Sequence, residues 1–250
     1  MKFIGIIPAR YASTRFPGKP LAMIGKKSMV QRVYEQASKC ELLSQVVVAT
    51  DDERILNHVQ NFGKAVMTGS HHESGTDRCL EASNLLPDNL ELSESDVVIN
   101  IQGDEPFIQP EQIELLGLLF RDSDTSIGTL AKKIEDPQDL FNPNIVKVVF
   151  DRWGRALYFS RWAIPFIRGK EQGEWLKAHT YFRHVGMYGY RHGVLKLLAG
   201  LALSPLEKAE SLEQLRWLEN GFKIRVAQTT RQSPGIDTPD DLEKIPPGWV

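Results

Sequence analysis

Phe3-Ile4-Gly5-Ile6-Ile7-Pro8-Ala9-Arg10-Tyr11-Ala12-Ser13-Thr14-Arg15-Phe16-Pro17-Gly18-Lys19-Pro20 opens the chain and decides how the rest is read. A short apolar run that empties into a loop carrying three cations is a buried strand feeding an anion cradle. Arginine offers planar, paired donors to phosphate oxygens, and lysine adds a compact point charge, so Arg10, Arg15 and Lys19 are candidates to surround one triphosphate. The residues alone leave open a plain solvated basic loop. Position favours the cradle, because ligands in open α/β sheets bind at the carboxyl ends of strands. Neither G-x-x-x-x-G-K-[ST] nor G-x-G-x-x-G spacing is present here, so a different nucleotide-binding variant is expected.

Strand and helix patterns alternate through the first half, which predicts parallel strands joined by crossover helices. Ser28-x-x-Gln31 reads as a capping box ahead of Met29, Val30, Val33, Tyr34 and Ala37, which share one helical face. Gln45 to Thr50 is a strand, Asp51 and Asp52 cap a helix stopped by Gly63, and Lys64 to Met67 is a short strand. A helix is expected near Asp77 to Leu86, a buried strand from Asp96 to Ile101, and a helix from Pro110 through Phe120. In the second half Ile145 to Phe150, Ala156 to Ser160 and Arg183 to Tyr190 look antiparallel and predict a smaller β-rich lobe, roughly residues 140–190. Leu206 to Asn220 reads as one helix ending at Gly221, followed by a strand from Lys223 to Gln228 and a terminal helix from Thr238. The fold class is α/β, one domain over 1–250, with Pro246 to Val250 as a loosely held tail.

The chain has 250 residues, 42% hydrophobic and a quarter charged, enough to bury one sizeable core. A net charge of −2 gives no global pull toward nucleic acid or anionic membrane. Cys40 and Cys79 have neither C-x-x-C spacing nor the numbers for a disulfide framework, and are expected to be buried in a reducing compartment. The N-terminal apolar run is too short for a signal sequence and no later segment has membrane-spanning length, so a cytoplasmic location is expected.

Gln102-Gly103-Asp104-Glu105-Pro106 places a carboxylate after a central strand, a position suited to magnesium, which takes a few carboxylate oxygens plus phosphate and water. Asp237, in a tight turn beyond the last strand, is the candidate partner. The residues leave open that Asp104 is a turn residue and Asp237 a helix cap. His71-His72-Glu73 lacks a third ligand and reads as solvated loop with the two rings pointing apart. Ser74-Gly75-Thr76-Asp77-Arg78 exposes backbone donors at a helix start. His184 and Tyr188 share one side of a strand, as core or as ligands.

The chain is similar to the 3-deoxy-manno-octulosonate (Kdo) cytidylyltransferase family. The motifs that carry this are I-P-A-R-x-x-S-T-R-F-P-G-K-P-L, A-T-D-D-E-R-I at 49–55, S-G-T-D-R at 74–78 and N-I-Q-G-D-E-P at 100–106. They continue with Y-F-S-R at 158–161, I-P-F at 164–166, H-V-G-M-Y-G-Y-R at 184–191, L-E-Q-L-R at 212–216 and G-I-D-T-P-D-D-L at 235–242. The resemblance implies a Rossmann-like nucleotide-diphospho-sugar transferase fold with a mixed, mostly parallel sheet. It implies transfer of a cytidylyl group from CTP to Kdo for lipopolysaccharide synthesis, with release of pyrophosphate. Pro8, Ala9, Arg10, Arg15, Lys19, Ser74, Gln102 and Asp104 would take the nucleotide, and Asp104 and Asp237 the Mg2+. Lys19, Asp104 and Asp237 would be catalytic, and Arg78, Gln102, Arg161, His184, Tyr188, Glu213 and Gln214 would take the sugar acid. A homodimer through the β-rich lobe is also implied. Alternatives are a sialate-type or other sugar nucleotidyltransferase, or a CTP-binding sensor without catalysis.

Overall fold

The computed structural model describes residues 1–12, 16–72, 74–231 and 235–245. The opening apolar run forms β1 (Phe3–Ala9), buried along almost its whole length. A 3-10 turn at Lys19–Leu21 and the two-residue strands β2 (Met23–Ile24) and β3 (Lys27–Ser28) lead to α1 (Met29–Ala37). Ser28 caps α1 by accepting from the Gln31 N–H at 3.3 Å, but the Gln31 amide donates to Glu35 at 2.9 Å, so only half of the expected box forms.

The crossover rhythm continues through β4 (Gln45–Thr50), α2 (Glu53–Val59), β5 (Ala65–Met67), α3 (Gly75–Asn84), β6 (Val97–Asn100) and α4 (Pro110–Leu118). Only Asp52 caps α2; Asp51 pairs elsewhere. α3 begins at its Ser74 cap, earlier than the expected Asp77, because the Ser74 hydroxyl accepts from the Asp77 N–H.

Next come β7 (Ile127–Lys133), α5 (Pro137–Phe141), β8 (Lys147–Phe150), β9 (Ala156–Ser160), α6 (Trp175–Ala178) and β10 (Phe182–Arg191). The chain continues with α7 (His192–Ala199), α8 (Pro205–Glu210), α9 (Gln214–Glu219), β11 (Ile224–Thr229) and α10 (Pro239–Glu243). The expected single helix over 206–220 is therefore two. Ser211 takes a left-handed conformation, φ 52°, and ends α8, while Gly221 at φ 80° stops α9 as expected.

The main path of the sheet runs β11-β7-β10-β6-β1-β4-β5. β10 pairs antiparallel with β6 and β7, whereas the other pairings along that path are parallel. β8 and β9 pair antiparallel with each other, and β8 joins β10 at Arg183, so the β-rich part grows from a central strand. β7 has no counterpart in the sequence reading. Gly128 on β7 stands opposite Gly189 on β10, and a side chain at either would press on the buried Phe120 ring, so this strand trades apolar signal for a slot.

Alternation in β1 feeds two cores, one on each face of the sheet. Ile4 and Ile6 pack with Cys79, Leu195, Leu215 and Trp217, from α3, α7 and α9. Phe3 and Ile7 pack with Val30, Val33, Ile55, Ile113 and Leu116, from α1, α2 and α4. Both cysteines are buried and free, as expected. Among the described residues no helix is long and apolar enough to cross a membrane.

Candidate active site

The carboxyl ends of β1 and β6 and the turn after β11 meet at one point. Lys19 Nζ lies 2.7 Å from Asp104 Oδ2 and 3.5 Å from Asp237 Oδ1. Gly103 makes the first approach possible, since a Cβ there would sit 2.7 Å from the Pro8 carbonyl oxygen. The Ile236 N–H donates to the Asp104 carbonyl at 2.9 Å, and Ile236 is buried with Ile24, Met29 and Phe107. The helix-cap reading of Asp237 is overturned, because Thr238 is the cap and Asp241 Oδ2 accepts from the N–H groups of Asp237 and Thr238 and from the Thr238 hydroxyl.

An ammonium group between two carboxylates marks a position that favours positive charge. No group of three or more His, Cys, Asp or Glu among the described residues could hold a metal alone. Two hard oxygen donors nevertheless suit a divalent cation that takes its remaining ligands from phosphate and water. The pair therefore fits magnesium.

Arg10 Nη2 donates to the His72 carbonyl and, at 3.4 Å, to that of Ser74. It ties the end of β1 to the turn that enters α3. Burial, then the charge of Arg78, lowers its pKa. Pro8 and Asn100 flank Gly75 in the same turn, and Ala9 is buried at the end of β1. The Ser74 hydroxyl caps α3 and donates to Asp77 Oδ2 at 2.9 Å. Arg15 and Glu73 lie outside the described residues.

His71 is exposed as expected, but His72 is not simply solvated. His72 Nε2 pairs with Glu81, which also accepts from the Gly69 N–H at 2.8 Å. This bond holds the Glu81 carboxyl below its usual range. The two rings do not point apart, since their centroids are 4.4 Å from each other.

A second group gathers around β10. Gln102 Nε2 donates to the Gly186 carbonyl at 2.9 Å, inside a bulge between Val185 and Tyr188. The His184 and Tyr188 rings stay together across that bulge, with centroids 5.1 Å apart, and His184 Nε2 meets Thr129 Oγ1 at 2.9 Å. Burial pushes the imidazole pKa down to about 3 and the phenol well up. Glu213 Oε2 accepts from Thr76 Oγ1 at 2.8 Å, and burial raises its pKa. Gln214 is buried at the start of α9. Arg161 donates from Nε, Nη1 and Nη2 to the carbonyls of Glu210, Pro143 and Ser211.

Arg78 does not join this group. It is fully buried, with Nη2 2.8 Å from Asp51 Oδ2 and Nη1 2.5 Å from Thr68 Oγ1, beyond the ends of β4 and β5. The sheet order puts β1 and β6 between that position and β10. Two of its nitrogens brace the turn before α3, while Nε is buried with no partner among the described residues.

Residues 4–224 match the cytidylyltransferase family. The chain is 56% identical over 249 residues to a 3-deoxy-manno-octulosonate cytidylyltransferase of Parabacteroides distasonis, spanning 98% of this chain and 96% of that protein. It is 56% identical over 245 residues to one from Thermodesulfovibrio yellowstonii, spanning 97% and 96%. The chain belongs to the 3-deoxy-manno-octulosonate cytidylyltransferase family. The solved CMP:2-keto-3-deoxy-manno-octonic acid synthetase complexed with CTP superposes with a TM-score of 0.88 at 43% identity, covering 98% of this chain and 96% of that one. A cytidylyltransferase from Leptospira borgpetersenii, at 18% identity and a TM-score of 0.60, shares the fold.

Within this cytidylyltransferase scaffold the sequence reading missed Thr76, Asn100 and Lys147. Asn100 is buried at the end of β6, opposite Tyr188, with no partner for Oδ1 among the described residues. Among the described residues the Tyr188 and Tyr190 hydroxyls and Trp217 Nε1 also lack one, and Trp217 packs edge-on against both tyrosines. Lys147 is fully buried and donates to the carbonyls of Asn142, Ile145 and Arg161. A lone polar residue inside an apolar strand run was the available signal for both Asn100 and Lys147.

Proposed function

We propose that the chain joins CTP and Kdo to give CMP-Kdo and pyrophosphate. The observation that carries this is the convergence of Lys19, Asp104 and Asp237 beside the Arg10-braced turn, in a chain whose relatives carry that name. The anomeric hydroxyl attacks the α-phosphorus in line. A new phosphorus–oxygen bond forms to the sugar as its hydroxyl proton is given up to water, the bond to the bridging oxygen breaks, and the electron pair leaves on pyrophosphate.

No covalent enzyme intermediate is required, so the protein supplies positioning and charge. Lys19, with Arg15, stabilises the departing pyrophosphate, and Arg10 with Pro8, Ala9 and Ser74 shapes the nucleotide side. Asp104 and Asp237 would hold magnesium, which would supply positive charge to neutralise the phosphates. Gln102, His184, Tyr188, Glu213 and Gln214 form the side that takes the sugar acid, with Arg161 near its carboxylate. The neutral His184 imidazole and the Glu213 carboxylate suit hydroxyl-rich cargo.

A coupled pyrophosphate assay across four nucleoside triphosphates and a small set of keto sugar acids tests base, acceptor and reaction together. Release with CTP and Kdo alone is the expected result. Tight CTP binding with no release would replace this reading with a sensor.

The chain acts as one domain over 1–250, with roughly 140–190 as a dimerisation lobe. Trp153, Leu157, Trp162 and Phe166 support that, since each is more than 60% exposed. Light scattering should return a dimer at assay concentration.

A further inference from the structure

The A-T-D-D-E-R-I segment carries two interactions at the end of β4. Asp51 braces Arg78, as described above. Asp52 caps α2 and also binds Arg54 through two bonds, Nε to Oδ1 at 2.9 Å and Nη2 to Oδ2 at 2.6 Å. A guanidinium held flat by a carboxylate has its face free to stack. That face lies over the Tyr11 ring, with Cζ 3.3 Å from the ring centroid.

Tyr11 in turn closes the loop that follows β1. Its carbonyl accepts from the Gly18 N–H at 2.9 Å, and its ring packs so closely on Gly18 that an added Cβ would lie 3.2 Å away. Gly18 has φ of 71°, which L side chains rarely adopt. The next residue is Lys19, whose Nζ reaches Asp104 and Asp237. Arg54 is 60% exposed, so truncating it leaves no cavity in either core.

We infer that Arg54 is a positioning residue of the nucleotide site: braced by Asp52, it holds the Tyr11 ring, fixes the Tyr11–Gly18 closure and so presents Lys19. This rests on the reaction proposed above. Its cost falls on CTP and leaves the sugar acid alone, because β4 and β10 are separated by β1 and β6.

Steady-state pyrophosphate release and thermal unfolding are measured for the wild type, Arg54→Ala, Tyr11→Ala, Tyr11→Phe and the Arg54→Ala/Tyr11→Ala double variant. A cation–π contact of ordinary strength predicts that Arg54→Ala and Tyr11→Ala each raise KM for CTP about threefold to tenfold. Tyr11→Phe keeps the ring face and restores wild-type KM. The double variant is no worse than the poorer single one, and KM for Kdo and the Tm of Arg54→Ala stay at wild-type values. Multiplying losses in the double variant would overturn the inference, because Arg54 would then meet the nucleotide directly. An unchanged KM for CTP would overturn it also, as would a fall in Tm that tracks the loss. A wild type that releases no pyrophosphate from CTP and Kdo defeats the reaction instead, whereas an active wild type with an indifferent Arg54→Ala defeats only this role.

Discussion

Thr76 Oγ1 donates to Glu213 Oε2 across 2.8 Å, so the first turn of α3, on the nucleotide side, is tied to the residue that opens α9, on the acid side. Arg216 extends the tie. Its Nη2 is 3.8 Å from Glu213 Oε1, while Nε and Nη2 meet Glu207 at 2.8 and 2.7 Å. Both halves of the site therefore share one hydrogen-bonded carboxylate. Thr76→Val keeps the shape and removes the donor. A hydrogen bond to a charged group is worth about 1.5–3 kcal/mol, so we expect kcat/KM to fall roughly tenfold or more. Titrating each substrate at several concentrations of the other should show the loss for both, with Thr76→Ser close to wild type.

Asp104 is the carboxylate nearest Lys19, and its loop is fixed by Gly103 beneath and Ile236 above. Asp104→Asn keeps the volume and removes the charge. Loss of a charge-stabilising group costs on the order of a hundredfold in turnover. We expect at least that in saturating magnesium, and chelation of divalent cations should abolish release in the wild type. Near-normal turnover of Asp104→Asn would remove the residue from the mechanism.

Local chemistry explains which parts were legible in the sequence. β1, β4 and β6 announce themselves as unbroken apolar runs, and Asp104 follows from its place just after one of them. β7 hides because the Gly128–Gly189 pair that admits Phe120 weakens its pattern. The break at Ser211 is invisible to helical periodicity, since the carbonyls it frees are taken by Arg161, fifty residues away. Arg78 shows the limit of a motif: its position is plain, yet only the fold reveals that its Nη atoms meet Asp51 and Thr68. His72 likewise looked like loop until Glu81, nine residues on within α3, supplied its partner.

His184 predicts an acid limit on stability. Burial lowers its pKa from 6.5 to about 3 in the folded state, so the folded protein keeps the ring neutral while the unfolded chain takes up a proton. Its contribution is intact above pH 6.5 and is lost as the pH falls from there toward 3. The slope is at most about 1.4 kcal/mol per pH unit. Urea unfolding across that range should show a shallower pH dependence for His184→Gln than for the wild type.

Lys147 makes a parallel case at alkaline pH. Its ammonium is fully buried and donates to the carbonyls of Asn142, Ile145 and Arg161 at 3.0, 2.6 and 2.6 Å. Burial lowers its pKa from 10.5 to about 8, with Glu210 opposing that shift and Arg161 adding to it. Between those values the unfolded chain holds a proton that the folded one has shed, so this group's contribution to stability rises with pH there. Lys147→Met strips a donor from each of three buried carbonyls, and a buried acceptor left unpaired costs roughly 1–3 kcal/mol. We expect Lys147→Met to lose about 3 kcal/mol near neutral pH, with the gap to the wild type widening above pH 8 in denaturant unfolding. The Arg161 carbonyl is one of the three, so KM for Kdo should rise in the same variant while KM for CTP holds. A variant as stable as the wild type would show that this lysine holds nothing in place.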